Sequence, residues 1–302
     1  MPPRTLQPGA GSGIAPAHMS ATLNPRDRAE LALHSDLSPG ARQRLAALDV
    51  REGFRLWRLF ARLGWLDIRL RYRGSLLGPF WLTLSTGVMV AALGVLYSAL
   101  FKMDLREYIP FLALSMVLWG YLSAVVGDAC YCFTHAEGMI RSIRMPYTLY
   151  AARTVVRNLL VLAHNVVVIV AVYAVFEVWP GWQALWALPG LAVWVVDGLA
   201  ACMLLGSLCA RFRDIPPIVG SLMQIAFFIT PVIWKPELLQ GDQAGWLPFN
   251  PFYTVLEIVR GPLLGQAAGA GVWASALVYS ALLVLVSWLV FSRVRARLAF
   301  WV

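Results

Sequence analysis

A chain of 302 residues that is 59% hydrophobic and 14% charged, with a mean hydropathy of +0.66, does not describe a soluble domain. A formal net charge of +9 invites a nucleic-acid reading, but the arginines cluster at the ends of apolar runs, as membrane topology requires, and no basic soluble face emerges. The four cysteines, Cys130, Cys132, Cys202 and Cys209, lie in or beside apolar runs without metal-ligand spacing and read as free thiols packed among helices.

Residues 1–50 come first, rich in Pro, Gly, Ala and Ser over their first forty positions. They read as a disordered or weakly helical cytoplasmic extension, with a short helix near Arg26–Leu33 and no apolar run of signal-peptide length. Beyond them, Arg51, Arg55, Arg58, Arg62, Arg69 and Arg73 share a narrow arc of a 3.6-residue wheel. Phe54, Leu56, Trp57, Phe60 and Leu63 fill much of the rest. This pattern predicts an amphipathic interfacial helix over residues 51–74, apolar side chains in the acyl boundary and arginines towards headgroups. Asp67 and Arg71 leave the stripe, so a break is expected near Gly64. A plain anchor and a gate for an anionic lipid headgroup use the same physics. For the gate the candidates are Arg55, Arg58, Arg62, Arg69, Arg71 and Arg73, each worth about 1 kcal/mol near an anionic leaflet.

Residues 75–302 carry six apolar spans: about Pro79–Phe101, Ile109–Cys130, Val156–Val178, Ala184–Cys209, Ile215–Trp234 and Val272–Ser292. Each has roughly the 20 residues that a hydrocarbon core of about 30 Å requires. Asp214 stands as the expected N-cap of the fifth span, with prolines in its first turn, and Thr230-Pro231 marks a bend near its far end. With the amino terminus inside, twenty-one Lys and Arg fall in cytoplasmic segments, and only Lys102, Arg106, Lys235 and Arg260 fall outside. That bias fails for any odd number of spans, so both termini are expected in the cytoplasm. The external stretch Lys235–Gly271 predicts a turn over Pro236–Gln240. Behind an Asn250-Pro251 cap, it predicts a helix over Phe252–Arg260 ended by Gly261-Pro262, giving two short re-entrant elements between spans five and six.

The chain has no Gly-rich loop ending in Gly-Lys-Ser/Thr, since its two lysines follow Phe101 and Trp234. Nor does it have a His-Glu-x-x-His pair or a Gly-x-Ser-x-Gly elbow. Catalysis by this chain is therefore not expected, and ATP-driven transport would need an ATPase on another polypeptide. Between spans two and three, Glu137–Pro146 interleaves apolar and basic residues. It predicts a short amphipathic helix stopped by Pro146, with its apolar face laid into a groove of a cytoplasmic partner; an ordinary basic surface loop is the alternative. Within the spans, Asp197 should face protein, water or a partner, because a mid-membrane charge costs several kcal/mol. Tyr97, Trp119, Tyr121, Phe227 and Phe228 either pack or offer faces to sugar rings, and with Asp197 they are the candidate channel lining.

The motifs Arg71-Tyr-Arg-Gly-Ser-Leu-Leu-Gly-Pro79-Phe-Trp, Met139-Ile-Arg141-Ser-Ile-Arg-Met-Pro146, Arg211-Phe-Arg213-Asp214-Ile, Thr230-Pro231-Val-Ile-Trp and Asn250-Pro251…Arg260-Gly-Pro-Leu-Leu-Gly265 occur in order over about residues 51–300. This arrangement resembles the membrane subunit of ABC type-2 exporters of lipid-linked polysaccharides such as O-antigen, capsule or teichoic acid. The resemblance implies an all-α, six-span, multi-pass protein of the bacterial inner membrane. It would work as a homodimer with two cytoplasmic ABC ATPase subunits that bring ATP and Mg; the chain itself would need no cofactor, metal or nucleic acid. It further implies an ATPase-coupling role for Glu137, Met139, Ile140, Arg141, Ile143, Arg144, Met145 and Pro146, joined by Arg211, Arg213 and Asp214. The external gate would comprise Thr230, Pro231, Asn250, Pro251 and Arg260. Other cargoes, a lipo-oligosaccharide or a small drug, fit the same architecture. A membrane glycosyl- or lipid-transferase fits less well, because the external acids Asp104, Glu107, Glu177, Glu237, Asp242 and Glu257 form no paired motif.

Overall fold

A computed structural model describes residues 38–71, 73–74, 80–239 and 241–302. The expected helix at Arg26–Leu33, the start of the first span at Pro79 and the end of the Pro236–Gln240 turn lie outside the described residues. The chain divides into two compact units, Met1–Ala41 and Arg42–Val302. In the first, the Ala41 N–H donates to Ser38 Oγ at 3.3 Å. All that follows concerns the second.

Among the described residues every regular element is helical. Helices α1 (Pro39–Arg55) and α2 (Trp57–Arg71) carry the arginine stripe. The chain breaks between them at Leu56, whose N–H is shared between the Glu52 and Gly53 carbonyls, and not at Gly64 as expected. Gly64 instead stays inside α2 because it is a contact point: a Cβ there would lie 3.1 Å from Val156 Cγ1 and 3.3 Å from the Arg153 carbonyl. Next come α3 (Phe80–Phe101), α4 (Leu105–Tyr131), the short α5 (Glu137–Ser142), α6 (Tyr147–Phe176), α7 (Ala187–Arg211), α8 (Ile215–Ile229), α9 (Pro251–Leu263) and α10 (Ala270–Trp301). Five of these stretches are long and apolar enough to cross a membrane: Thr83–Phe101, Leu105–Tyr131, Tyr147–Phe176, Gly181–Arg211 and Ala270–Trp301. Exposed Val95, Val170, Leu222 and Leu285 give the bundle the apolar exterior of a chain solvated by lipid.

Three elements depart from the expected boundaries, each for a local reason. Helix α6 starts at Tyr147, well before Val156, so Arg153 and Arg157 are helical; both find carboxylates there. Helix α8 stops at Ile229 and does not reach Trp234, because Thr230 precedes a proline and turns extended, φ −81° and ψ 137°. Its 15 residues rise only about 22 Å. Helix α9 runs through Gly261-Pro262 to Leu263. The Ile258 carbonyl, which Pro262 leaves without its helical donor, faces Gly190 of α7, where a Cβ would sit 2.8 Å from that oxygen.

Asp214 precedes α8 as predicted, but its side chain caps nothing. Capping requires an N–H at the second or third helical position. Here those positions are Pro216 and Pro217, so there is no donor to accept.

Helix α7 is wedged among its neighbours by three glycines. Gly190 meets α9, Gly198 would bring a Cβ within 3.2 Å of Val155 on α6, and Gly206 within 2.9 Å of Phe133 beyond α4. Two apolar cores flank it. One gathers Trp194, Leu256, Ile258 and Val259; the other gathers Phe133, Leu149, Tyr150 and Phe291. The four cysteines are free and buried, as expected.

Candidate functional site

The arginine-rich end is organised by three carboxylates. Asp49 on α1 is buried and accepts from the Tyr147 and Thr148 N–H groups at 3.2 and 3.0 Å, from Thr148 Oγ1 at 2.9 Å and from Arg295 Nε at 3.0 Å. Pro146, just before α6, has no side chain that can cap it. Asp49 supplies the cap from a distant helix, where a carboxylate also favours the positive end of the helix dipole. Gly53 makes this approach possible, since a Cβ there would lie 2.6 Å from Thr148 Cβ. On α2, Asp67 takes a two-pronged contact from Arg153, with Nε at 2.8 Å, and lies 3.6 Å from Arg157. Arg157 reaches on to Asp128 of α4 at 2.8 Å, and Asn158 donates to the same oxygen at 2.9 Å. The helix pair bearing the arginines is thus fastened to α6 at two places. Arg55, Arg58, Arg62, Arg69, Arg71 and Arg73 are all exposed.

Between Cys132 and Tyr147 the chain forms a 3-10 turn, Thr134–Ala136, and then α5. Helix α5 ends at Ser142, and Ile143 is already extended (φ −135°, ψ 127°), so Pro146 does not stop it. The apolar face is also turned the other way from the expectation. Met139, Ile140 and Met145 pack inward against the core of the same chain, while Glu137, Arg141, Ile143 and Arg144 are exposed. Arg141 pairs with Glu137 at 2.9 Å and donates to the Val302 carbonyl at 2.6 Å. Nearby, exposed Arg211 lies 5.8 Å from the Phe212 and Trp301 rings, and Arg213 and Asp214 are exposed beside it.

At the opposite end, Thr230, Pro231, Asn250, Pro251 and Arg260 are brought together. Asn250 Oδ1 caps α9 by accepting from the Phe252 and Tyr253 N–H groups, and its Nδ2 donates to Thr230 Oγ1 at 3.1 Å. Arg260, counted in the sequence as an external charge, is fully buried. It donates to Glu257 from Nε at 2.9 Å, to Ser115 Oγ of α4 at 3.1 Å and to the Pro231 carbonyl, and it lies 4.8 Å from the Phe111 ring centroid. Glu257 carries no motif, and only its three-residue spacing from Arg260 on one helix hinted at it; Ser115, on α4, left no signal in the sequence.

The predicted lining residues divide among three places. Trp119, Phe227 and Phe228 line a groove of about 590 Å³ between α4 and α8, together with Ser123, Tyr131 and Gln224. Trp119 and Phe227 meet at 5.9 Å, and Phe227 and Phe228 at 5.3 Å. Tyr121 and Asp197 border a separate cavity. Tyr97 stacks on Phe101 at 5.5 Å, apart from both.

The ABC-2 type transporter family matches residues 58–264, more than two thirds of the chain. The chain belongs to that family. It is also similar to an O-antigen export system permease protein RfbA of Myxococcus xanthus, 23% identical over 209 residues that cover 68% of this chain and 80% of that protein. A protein of the same name from Klebsiella pneumoniae is 21% identical over 195 residues, 63% of this chain and 74% of its own length. ABC-2 membership makes the chain the membrane part of a transporter, implies an ABC ATPase as partner, and agrees with the missing Walker loop. Of the candidate gate, coupling and lining residues, all except Arg55 fall within the matched segment.

Proposed function

We propose that the chain is the membrane-spanning subunit of an ATP-driven exporter that moves a lipid-linked polysaccharide of the O-antigen kind across the bacterial inner membrane. The observation that carries this is the ABC-2 match over residues 58–264 with relatives named as O-antigen export permeases. Two copies pair with two cytoplasmic ABC ATPase subunits that bind ATP and Mg. In each copy α3, α4, α6, α7, α8 and α10 cross the bilayer, with both termini and the arginine-rich end in the cytoplasm. The 3-10 segment Gly241–Phe249 and α9 form a re-entrant pair on the external side, gated at Thr230, Pro231, Asn250, Pro251 and Arg260. The short rise of α8 supports this, since its end meets the start of α9 through Thr230 and Asn250 and a second element must complete the crossing.

The polar face of α5 and the extended Ile143–Pro146 receive the ATPase, with Glu137, Arg141, Ile143 and Arg144 outermost and Arg211, Arg213 and Asp214 alongside. A push there moves the start of α6. Through Asp49 and through the Asp67–Arg153 pair it carries α1 and α2 with it. The exposed arginines of that pair meet the diphosphate of the lipid carrier. In the groove, Trp119, Phe227 and Phe228 stack on sugar faces while Ser123 and Gln224 take hydroxyl hydrogen bonds.

The reading is tested by reconstituting the chain with its ATPase in liposomes. Arg141→Glu with Arg144→Glu is expected to leave basal ATP hydrolysis while abolishing glycan export; unchanged export refutes the coupling role. ATP hydrolysis by the purified chain without a partner would overturn the division of labour.

A further inference from the structure

Half-way along α7 a carboxylate lacks a counter-charge. Among the described residues, every other acidic side chain that is mostly buried meets an arginine: Asp49 with Arg295, Asp67 with Arg153, Asp128 with Arg157 and Glu257 with Arg260. Asp197 has only a serine hydroxyl, Ser280 Oγ, at 2.8 Å on its Oδ2. Its Oδ1 is buried with no partner. Tyr121 of α4, 5% exposed, likewise has a buried hydroxyl without a partner.

Both side chains line one cavity of about 320 Å³ enclosed by α4, α7, α9 and α10. Its walls are otherwise apolar and aromatic, including Trp194, Phe252 and Tyr279. The Tyr121 and Trp194 rings stack at 5.2 Å and 9° from parallel. Trp194 is in turn pinned by its indole N–H to the Val255 carbonyl at 2.7 Å, so this wall is rigid. A neighbouring apolar cavity of about 600 Å³ shares Val126, Leu205, Pro251 and Phe252 with it, which extends the apolar surface towards α8.

We infer that this cavity is a binding site for a lipophilic primary amine, an apolar molecule ending in a protonated amino group. The charge selects the head: an isolated carboxylate in apolar surroundings is costly, and a cation removes that cost. An ammonium has three donors and no acceptor, which suits Asp197 Oδ1 and the Tyr121 hydroxyl together. The surrounding ring faces attract a cation, and the apolar walls take its chain. An anion is repelled by Asp197, and a neutral alcohol offers one donor and no charge. The site lies within one chain and on another face of α4 from the Trp119–Gln224 groove, so it stands whether or not the glycan reading does.

The test is equilibrium binding of radiolabelled dodecylamine to the full chain in phosphatidylcholine nanodiscs, with the signal of empty discs subtracted. One saturable site per chain is expected, displaced by unlabelled dodecylamine and not by dodecanol at the same concentration. Asp197→Asn is expected to weaken binding at least about tenfold, and Tyr121→Phe about threefold. The inference is overturned by the absence of a saturable component, by displacement equal for amine and alcohol, or by unchanged binding in folded Asp197→Asn. Should that variant fail to fold, the amine–alcohol comparison on the native chain decides alone. No ATPase or glycan enters the measurement, so its failure and that of the exporter reading are separate results.

Discussion

At the arginine-rich end, Asp49, Asp67 and Asp128 divide the work of joining α1, α2, α4, α6 and α10, and the arginines they hold stay partly exposed, 14–29%. At the other end one guanidinium, Arg260, is fully buried and ties α4, the Pro231 turn and α9 at once. A distributed network loses one strand at a time and shifts without collapsing. A single buried hub cannot lose its centre without stranding a charge. The difference lets the arginine-rich end yield contact by contact, while the opposite end shifts or holds as one piece.

The contrast is sharpest for Arg260→Met, which leaves the mostly buried Glu257 carboxylate without its arginine and is expected to cost about 3–5 kcal/mol. Thermal unfolding in detergent reads the loss. Asp49→Ala removes the cap of α6 and the Arg295 contact, and about 2–3 kcal/mol is expected. Arg295→Ala should add little on top of it, because the two share one interaction. If Asp49→Ala proved as damaging as Arg260→Met, the distinction between the two ends would be lost. Asn250→Ala, which uncaps α9 and releases Thr230, should cost about 1 kcal/mol in the same assay. Asp214→Ala is expected to stay within about 0.5 kcal/mol of the parent, because no N–H awaits its carboxylate. A loss of 1 kcal/mol or more would mean that this residue does cap α8.

The apolar runs and the grouping of the arginines were legible because lipid imposes a length and a charge rule on every crossing segment. The candidate lining residues divide, Trp119, Phe227 and Phe228 sharing one groove and Tyr97 lying elsewhere, since neighbours on a helical wheel say nothing about which helix packs beside them. Arg260 was legible only as a charge on the external side; its burial was not, because its satisfaction comes from Ser115 and the Pro231 carbonyl, both remote in the chain. Asp67 was visible only as an exception to the arginine stripe. Asp49 lies eighteen residues earlier, close to five full helical turns, at the same angle opposite the arginines. The two aspartates together mark a buried face, but the sequence could not say that α6 covers it. The uselessness of Asp214 as a cap was legible in Pro216-Pro217 itself: a capping residue is only as good as the donors that follow it.

The three glycines of α7 have a mechanical consequence. Gly190 sets its backbone against the backbone of α9, and at Gly198 and Gly206 the side chains of Val155 on α6 and Phe133 after α4 press directly on it, at successive heights. A rod gripped so closely on several sides neither slides nor turns without overlap somewhere along its length. Helix α7 is therefore the stator of the bundle, and any rearrangement during transport has to be carried by the helices that move around it.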